Sequence, residues 1–387
     1  MNLIDYQNKT IYSIGLMSGT SLDGLDIAYC LHETKNNKTH HSLIHFQTYE
    51  YGSLKEKILR NTFVNSSKVS EICSLNKEIG LFYLESLKKF IKEFNINIDD
   101  ISFISSHGQT MYHIPNDEEN LKRSTFQIGD MTDISYYFNK LVVYDFRTLD
   151  IAAGGGGAPL VPRVNFELFI DDAPVMMLNV GGISNITYIK DQNIDHVIAC
   201  DTGPGNMIID QLMKKLFNKD FDDNGFIASN GKLNKELLDI MLDDDYYIKS
   251  YPKSTGREKY NDLFIDKLVK TINDNNILKE DAIYTSTYFT AYTINKFIED
   301  FIQNKDYIIY ISGGGSHNQT LINILRSFDL DVKLLDEKYN VDAIEAMSFS
   351  ILGFLRLTNQ PGNIKNVTGA KENVMLGSII LPPRIEE

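Results

Sequence analysis

The chain has 387 residues, of which 43% are hydrophobic and 23% are charged, and its formal net charge is −14. This length predicts two domains of roughly 150–200 residues. The acidic balance argues against a nucleic-acid-binding protein, which needs a basic face. The three cysteines are too widely spaced for a metal pair or a disulfide framework, and we find no signal-peptide or membrane-spanning pattern. We expect a globular, cytoplasmic protein with no nucleic-acid or membrane partner.

Short β-branched runs alternate with amphipathic segments along the chain. Strands are predicted at residues 11–17, 25–30, 101–104, 141–145, 175–180, 186–189, 196–200 and 307–312. Helical spacing of apolar residues predicts helices at residues 75–94, 208–217, 285–301 and 318–328. The alternation predicts an α/β protein with largely parallel or mixed sheets. Two similar hairpins, at residues 11–30 and 175–189, further predict two related domains that face each other.

Three glycine-rich turns follow predicted strands, at residues 19–24, 181–185 and 313–318. Such turns expose consecutive backbone N–H groups and hydroxyls, which form concavities suited to anions. One such turn is weak evidence, but three of them on two similar halves predict a nucleotide cleft. The chain lacks the P-loop and the dinucleotide-binding glycine motif, and no cluster of residues has metalloenzyme ligand spacing.

Several polar residues stand at or near the ends of the predicted strands. Asp201 ends an apolar run just before a helix, and it is either a catalytic carboxylate or a helix N-cap. The segment from Asp145 to Arg147 holds either a bound anion or a structural ion pair. His107 lies in a polar turn at residues 105–110, where a structural hydrogen bond and a catalytic role are both open.

The first glycine turn also carries two carboxylates, Asp23 and Asp26. They either position Mg²⁺ through water or cap the hairpin. The residues that position Mg²⁺ are therefore left open.

These segments together resemble the anhydro-N-acetylmuramic acid kinase family, and the resemblance covers nearly the whole chain in order. Met-Ser-Gly-Thr-Ser-Leu-Asp-Gly at residues 17–24 is long enough to be specific by itself. The other matching segments lie at residues 14–16, 106–110, 145–147, 153–162, 178–185, 201–206, 253–258, 312–315, 361–363 and 367–370.

The resemblance implies an α/β, two-domain actin-like ATPase (ribonuclease H-like) fold with a nucleotide cleft between the domains. We place the first domain at residues 1–141 with about 371–387, and the second at residues 142–370. The implied reaction is a phosphotransfer to an alcohol group. ATP, with Mg²⁺, phosphorylates O6 of 1,6-anhydro-N-acetylmuramic acid while water opens the anhydro ring. The product is N-acetylmuramic acid 6-phosphate, an intermediate of peptidoglycan recycling.

The resemblance also implies roles for individual residues. Asp201 would be the general base that acts on the water. The residues that would hold the nucleotide are Gly19, Thr20, Ser21, Leu22, Asp23, Gly24, Leu25, Asp26, Gly181, Gly182, Gly313, Gly314 and Gly315. The residues that would bind the amino-sugar substrate are His107, Gln109, Arg147 and Glu345.

The sequence leaves two other functions open. One is another actin-like sugar or carboxylate kinase with a different acceptor, which substrate profiling would separate. The other is a nucleotide-gated structural ATPase, which would require polymer contacts or a peptide-binding appendage. The sequence leaves the oligomeric state open, with a homodimer as one expectation.

Overall fold

The computed structural model describes residues 3–19, 22–36, 38–62, 67–251, 253, 255–256, 259–303 and 306–384. The strands are β1 (Thr10–Ser18), β2 (Gly24–Lys35), β3 (Lys38–Glu50), β4 (Ile101–Ile114), β5 (Ser124–Ile128), β6 (Leu141–Tyr144), β7 (Val175–Val180), β8 (Ile183–Ile189), β9 (Ile198–Pro204), β10 (Ile308–Ser312), β11 (Val332–Leu334) and β12 (Ser378–Ile380). The helices are α1 (Leu54–Asn61), α2 (Val69–Glu93), α3 (Thr132–Phe138), α4 (Thr148–Ala152), α5 (Val161–Phe169), α6 (Met207–Phe217), α7 (Lys235–Leu242), α8 (Asp262–Asp274), α9 (Lys279–Phe301), α10 (Gln319–Ser327), α11 (Val341–Leu357) and α12 (Lys365–Thr368).

The chain divides into two compact units. The first contains the segment that ends at Leu168 and the segment that begins at Asp342, and the second contains residues 169–341. The predicted boundaries differ, because residues 142–168 and 342–370 lie in the first unit. The reason is strand and helix packing: β6 pairs with β4, and α11 covers one face of the sheet that contains β1 and β4.

The first unit is built on a sheet with the strand order β12–β6–β4–β1–β2–β3, and β5 pairs with the distal part of β4. Strands β1, β2 and β3 form an antiparallel meander. Strands β4 and β6 run parallel to β1, and β12 closes the edge antiparallel to β6. The C-terminal segment therefore completes the first sheet, because β12 lies on its edge.

The second unit has a five-stranded sheet in the order β11–β10–β7–β8–β9. Strands β7, β8 and β9 form an antiparallel meander, and β10 and β11 run parallel to β7. This order and these directions repeat those of β6, β4, β1, β2 and β3 in the first unit. Two related α/β domains are confirmed, and with them the actin-like two-domain class.

Each face of the first sheet is covered by helices. Ile14 and Leu16 of β1 join a core that includes Ile79, Tyr83 and other residues of α2. The opposite face packs against α11, whose buried residues occupy every side of the helix. Gly15 illustrates the close fit, since a Cβ there would lie 2.0 Å from the carbonyl oxygen of Ala346.

In the second unit, α9 and α10 pack against the sheet, and α6, α7, α8 and α9 form a helical core of their own. The amphipathic stripe predicted at residues 208–217 forms α6, whose buried residues include Ile208, Ile209, Leu212 and Met213. Among the helices of the described residues, none is long and apolar enough to cross a membrane.

Two local predictions need correction. Residues 105–110, predicted as a turn, lie within the long strand β4, because pairing with β1 on one side and β5 on the other extends the strand. Asp201, predicted to end a strand, is the fourth residue of β9, which continues to Pro204 through its pairing with β8.

Candidate functional site

A glycine-containing turn links β1 to β2, and the structure describes its residues 19, 22 and 23. Its first residue, Gly19, accepts hydrogen bonds from Leu22 N and from the side-chain amide of Gln109, both at 3.4 Å. Leu22 has a left-handed backbone (φ 58°) and, like Leu25, buries its side chain in the core. Any contact of these two leucines with a nucleotide must therefore come from their main chain. Thr20 and Ser21, which belong to the same prediction, lie outside the described residues.

A buried polar network lies beneath this turn. Gln109 is fully buried, and its side-chain oxygen accepts a hydrogen bond from the hydroxyl of Tyr51 at 3.1 Å. The Ser18 hydroxyl donates to the Gly108 carbonyl at 3.1 Å and makes a short hydrogen bond with Tyr83. Since the amide of Gln109 has protein partners on both ends, it supports the turn rather than offering a free group.

Arg147 is held in a fixed orientation by neighbours in the same unit. Its Nε donates to Nε2 of His107 at 2.9 Å, and one terminal nitrogen donates to the Gly157 carbonyl at 2.7 Å. His107 Nδ1 lies 2.9 Å from the Gly108 carbonyl, which can only accept, so Nδ1 carries the proton and Nε2 offers a lone pair. Burial and the Arg147 charge hold the pKa of His107 well below its ordinary value. The imidazole is therefore neutral.

The guanidinium also lies in the electrostatic field of two carboxylates. Burial lowers the pKa of Arg147 to about 10, although Asp150 and Glu345 favour its charged form. Desolvation and the neighbouring Asp26 raise the pKa of Glu345, against the effect of Arg147. Glu345 lies in α11, near Arg147 and Asp26. One cation and three carboxylates, those of Asp26, Asp150 and Glu345, thus interact in this part of the first unit.

The carboxylates of the first hairpin have different surroundings. Asp26 accepts a hydrogen bond from Thr48 at 2.6 Å, and its pKa is raised by burial, against that bond, with help from Asp342 and Asp23. Asp23 is exposed and lies 3.7 Å from Lys55 Nζ. In the described residues, no group of three or more histidine, cysteine or acidic side chains could hold a metal ion.

Asp150 supports the loop beside Arg147, and the sequence pattern did not single it out. It is fully buried and accepts hydrogen bonds from Gly157 N at 2.8 Å, and from Asn363 and Thr368, each at 2.7 Å. It therefore fixes the glycine loop at residues 154–157, whose last carbonyl holds Arg147. The available signal was the pair of motifs at residues 361–363 and 367–370, which supply two of its partners.

Asp145 does not pair with Arg147. Its carboxylate accepts from the main-chain N and the hydroxyl of Thr148, at 3.4 and 2.6 Å. The aspartate therefore shapes the turn after β6, while the arginine makes its contacts with His107 and Gly157. The predicted structural ion pair between the two is absent from the contacts of these described residues.

In the second unit, Asp201 lies in β9 opposite Asn185 of β8. Its Oδ2 accepts a hydrogen bond from Thr255 N at 3.0 Å. Burial raises the pKa of Asp201 to about 6, against the effect of that bond. The residue before α6 is Asn206, so Asp201 is not the helix cap. A partly buried carboxylate with a pKa near 6 is suited to accept a proton at neutral pH.

The two remaining glycine turns lie close together beside the start of α6. The carbonyls of Gly181 and Gly182 accept hydrogen bonds from Asn206 N and Gly205 N, both at 2.8 Å. The turn after β10 reaches the same place, since a Cβ on Gly314 would lie 3.3 Å from Asn206 Nδ2. The β7 and β10 strands are parallel neighbours, and their carboxyl ends therefore meet at one edge of the sheet.

The glycines of these turns fall into two classes. Gly313 has φ 78°, and a Cβ on Gly315 would lie 2.4 Å from Val180 Cγ1, so the fold itself requires glycine there. A Cβ on Gly181 or Gly182 would meet nothing closer than 3.7 and 3.4 Å, respectively. The fold therefore leaves open space above these two residues. A phosphate chain that approaches the backbone closely would use that space.

Comparisons with known proteins agree over nearly the whole chain. The sequence profile described as anhydro-N-acetylmuramic acid kinase matches residues 11–382. A protein of that name from Clostridioides difficile is 42% identical over 381 residues, which cover 96% of this chain and 99% of the relative. One from Francisella tularensis subsp. novicida is 42% identical over 376 residues, with 95% and 98% covered.

Among solved structures, the activator of the 2-hydroxyisocaproyl-CoA dehydratase from Clostridium difficile, with bound ADPNP, is similar at a TM-score of 0.41 and 12% identity. The match covers 90% of this chain and 96% of that one.

Proposed function

Because this chain belongs to the anhydro-N-acetylmuramic acid kinase family, we propose that it uses ATP to phosphorylate O6 of 1,6-anhydro-N-acetylmuramic acid while water opens the anhydro ring. The family makes the chain a kinase, a phosphotransferase with an alcohol acceptor, that acts on a small sugar. We also propose a cytoplasmic location, where the product, N-acetylmuramic acid 6-phosphate, re-enters metabolism.

The observation that supports the chemistry best is the environment of Asp201. Its pKa of about 6 leaves the carboxylate ionised at neutral pH and still basic enough to take a proton. Asp201 accepts a proton from the water that attacks C1 of the sugar. The C1–O6 bond breaks with its electron pair moving to O6, and O6 attacks the γ-phosphorus as ADP leaves.

The other residues bind and orient the reactants. The glycine turns after β1, β7 and β10 supply backbone N–H groups to the nucleotide, and Mg²⁺, when bound, neutralises phosphate charge. Arg147 and Glu345 contact the sugar, as a charged donor and an acceptor. His107 and Gln109 act by holding Arg147 and the β1–β2 turn, since the groups that would reach a ligand are already engaged.

The first test is a reaction in ¹⁸O-labelled water with ATP, Mg²⁺ and 1,6-anhydro-N-acetylmuramic acid, followed by mass analysis of the sugar. We expect one label on the C1 hydroxyl of the product and none in its phosphate. Label in free phosphate without a phosphorylated sugar would mean simple ATP hydrolysis. Phosphate transfer to a different sugar or carboxylate, with this substrate inert, would favour the alternative kinase.

The base is tested with Asp201→Asn. We expect kcat to fall about 10²–10⁴-fold with the KM values for ATP and sugar retained, because asparagine keeps the shape and loses the proton acceptor. Asp210→Asn is a matched control, since burial also raises the pKa of Asp210 to about 6. It lies in α6 outside the proposed machinery, and its removal should leave turnover intact. Near-normal turnover of Asp201→Asn would refute the mechanism.

A further inference from the structure

Tyr246 makes a direct hydrogen bond to the main chain of the proposed base. Its hydroxyl donates to the Asp201 carbonyl at 2.6 Å, and the residue is 2% exposed. The ring packs edge-on against Tyr247, with centroids 5.5 Å apart. A buried tyrosine whose hydroxyl reaches a strand carbonyl fixes that strand position, because the ring itself cannot move within a packed core.

Two lysines hold Tyr246 from the chain segment that follows it. Lys253 Nζ and Lys259 Nζ lie 4.7 and 4.8 Å from the ring centroid, within the range of a cation–π interaction. Lys253 Nζ also donates to the Tyr246 carbonyl at 3.0 Å. Lys259 Nζ lies 2.6 Å from an Asp244 oxygen that accepts from Tyr246 N at 2.8 Å as well. The tyrosine is thus attached at its ring, its N–H and its carbonyl.

The same segment returns to Asp201 through Cys200. The Cys200 thiol donates to the Lys253 carbonyl at 3.0 Å and accepts from Lys253 N at 3.4 Å. Two residues later, Thr255 N donates to the Asp201 carboxylate at 3.0 Å. Lys253 is therefore bonded to β9 at Cys200, and Thr255 supplies the single donor that the structure gives to the Asp201 carboxylate among the residues it describes.

We propose that Tyr246 is a positioning residue for Asp201: through its bond to the Asp201 carbonyl and its contact with Lys253, it keeps the carboxylate in line with Thr255 N and with the water. The proposal rests on the proposed function, because it concerns the same base. Tyr246 does not touch the reacting atoms in this assignment. The ionisable groups that interact with the Asp201 charge are Cys200, Tyr246 and Tyr260.

The test compares Tyr246→Phe with Tyr247→Phe. Both tyrosines are buried neighbours, but the Tyr247 hydroxyl bonds Tyr260 at 2.8 Å instead of Asp201. We expect Tyr246→Phe to lower kcat about 2- to 10-fold, the effect of one hydrogen bond, with KM for both substrates unchanged. The hydrogen bond from Thr255 N lowers the pKa of Asp201. The substitution should weaken this bond, so the pKa of Asp201 should rise and the acid limb of the kcat profile should move to higher pH. Tyr247→Phe should leave that limb in place.

Asp201→Asn distinguishes a failure of the positioning role of Tyr246 from a failure of the proposed base. If Asp201→Asn is inactive and Tyr246→Phe keeps the wild-type kcat and acid limb, the positioning proposal alone is wrong. If Asp201→Asn stays active, the proposed base is wrong whatever Tyr246 does. Should Tyr246→Phe not fold, Cys200→Ala removes the bonds that hold Lys253 to β9. The same shift of the acid limb is expected there, and an unshifted limb overturns the proposal.

Discussion

The carboxylate of Asp201 makes the folded protein less stable than a neutral side chain at the same place would. Its pKa rises from 3.8 to about 6 on folding, so the folded state binds more protons than the unfolded state between these values. Stability therefore decreases as the pH rises through this window, and the ionised form is the unfavourable one. Such a conflict between stability and activity is common where a group is kept for chemistry.

Asp201→Asn should stabilise the protein at neutral and alkaline pH. We expect a gain of about 2 kcal/mol in the free energy of unfolding at pH 8, after allowance for partial exposure, and a smaller gain at pH 5. Urea unfolding at the two pH values measures it. Asp222→Asn is the control, because that buried carboxylate accepts from Ile227 N and Ala228 N and its replacement should destabilise at both. A loss of stability in Asp201→Asn at pH 8 would contradict the reading.

Sequence reasoning reached some of these residues and missed others for a physical reason. Asp201 and Arg147 stand in polar motifs at or near the ends of predicted strands, and Gly203 and Gly205 follow Asp201 closely. Tyr246 and Asp150 stand in ordinary surroundings, and their roles come from partners far along the chain, such as Asn363 for Asp150. Such pairings depend on the tertiary fold, which a local pattern does not encode.

The glycine turns contain two kinds of glycine: those that the fold requires, and those that only a bound ligand would require. We expect Gly182→Ala to leave the melting temperature nearly unchanged, because its Cβ would meet only Met207 Cε at 3.4 Å. It should still weaken ATP binding, since the methyl group enters the space assigned to phosphates. Gly315→Ala should instead lower the free energy of unfolding by about 1–3 kcal/mol, because its Cβ would overlap Val180.

Calorimetric titration with Mg-ATP, and melting curves without nucleotide, measure the two effects separately. An unchanged ATP affinity in Gly182→Ala would contradict the assignment of that turn to the nucleotide. A stable Gly315→Ala would show that the turn after β10 can shift to relieve the contact.

The elements with a clear period were predictable, and those without one were not. The helix at residues 208–217 follows its apolar stripe closely, and Asn318 precedes α10 and caps it. Helix α11 is buried on all sides and therefore has no amphipathic period to detect. Strand β3 is polar along much of its length, and its strand conformation comes from pairing with β2.

At the scale of the whole molecule, the class and the duplication could be predicted, but the division of the chain could not. Two hairpins with glycine turns half a chain apart already indicated two related domains, and the two sheets share one strand order. Helix α11 and strand β6 belong to the first unit because they pack against, or pair within, the first sheet. This placement depends on contacts such as the one from Ser105 Oγ to the Phe349 carbonyl, at 2.6 Å and across most of the chain.

The first unit also contains a buried chain of titratable groups that should make its stability depend on acid. His32 is fully buried; its Nδ1 lies 2.6 Å from His41 Nδ1, and its Nε2 lies 2.7 Å from the Ser13 hydroxyl. Burial, followed by His41, lowers the pKa of His32 well below its ordinary value. Burial alone would raise the pKa of Glu167, but Arg163 and His41 lower this pKa to about 2.

Both pKa shifts make the free energy of unfolding fall as the pH decreases. The unfolded state binds more protons than the folded state below about pH 6.5 at His32 and below about pH 4.5 at Glu167, so stability falls as the pH decreases. We expect His32→Asn to be less stable than the wild type at pH 7 and the difference to narrow by about 1–2 kcal/mol at pH 5. Urea unfolding at both pH values gives this difference. A difference that stays constant would contradict a neutral, buried His32.

Because the first unit is built from two separate segments of the chain, its parts leave the ribosome at different times. Residues 169–341 leave the exit tunnel before α11 and β12, and at about 5–20 residues per second their translation takes roughly 10–35 seconds. During that interval the sheet face that carries Phe103 and Cys30 lacks its covering helix. The second unit can fold as soon as it emerges, whereas the first unit lacks this cover until α11 has left the tunnel.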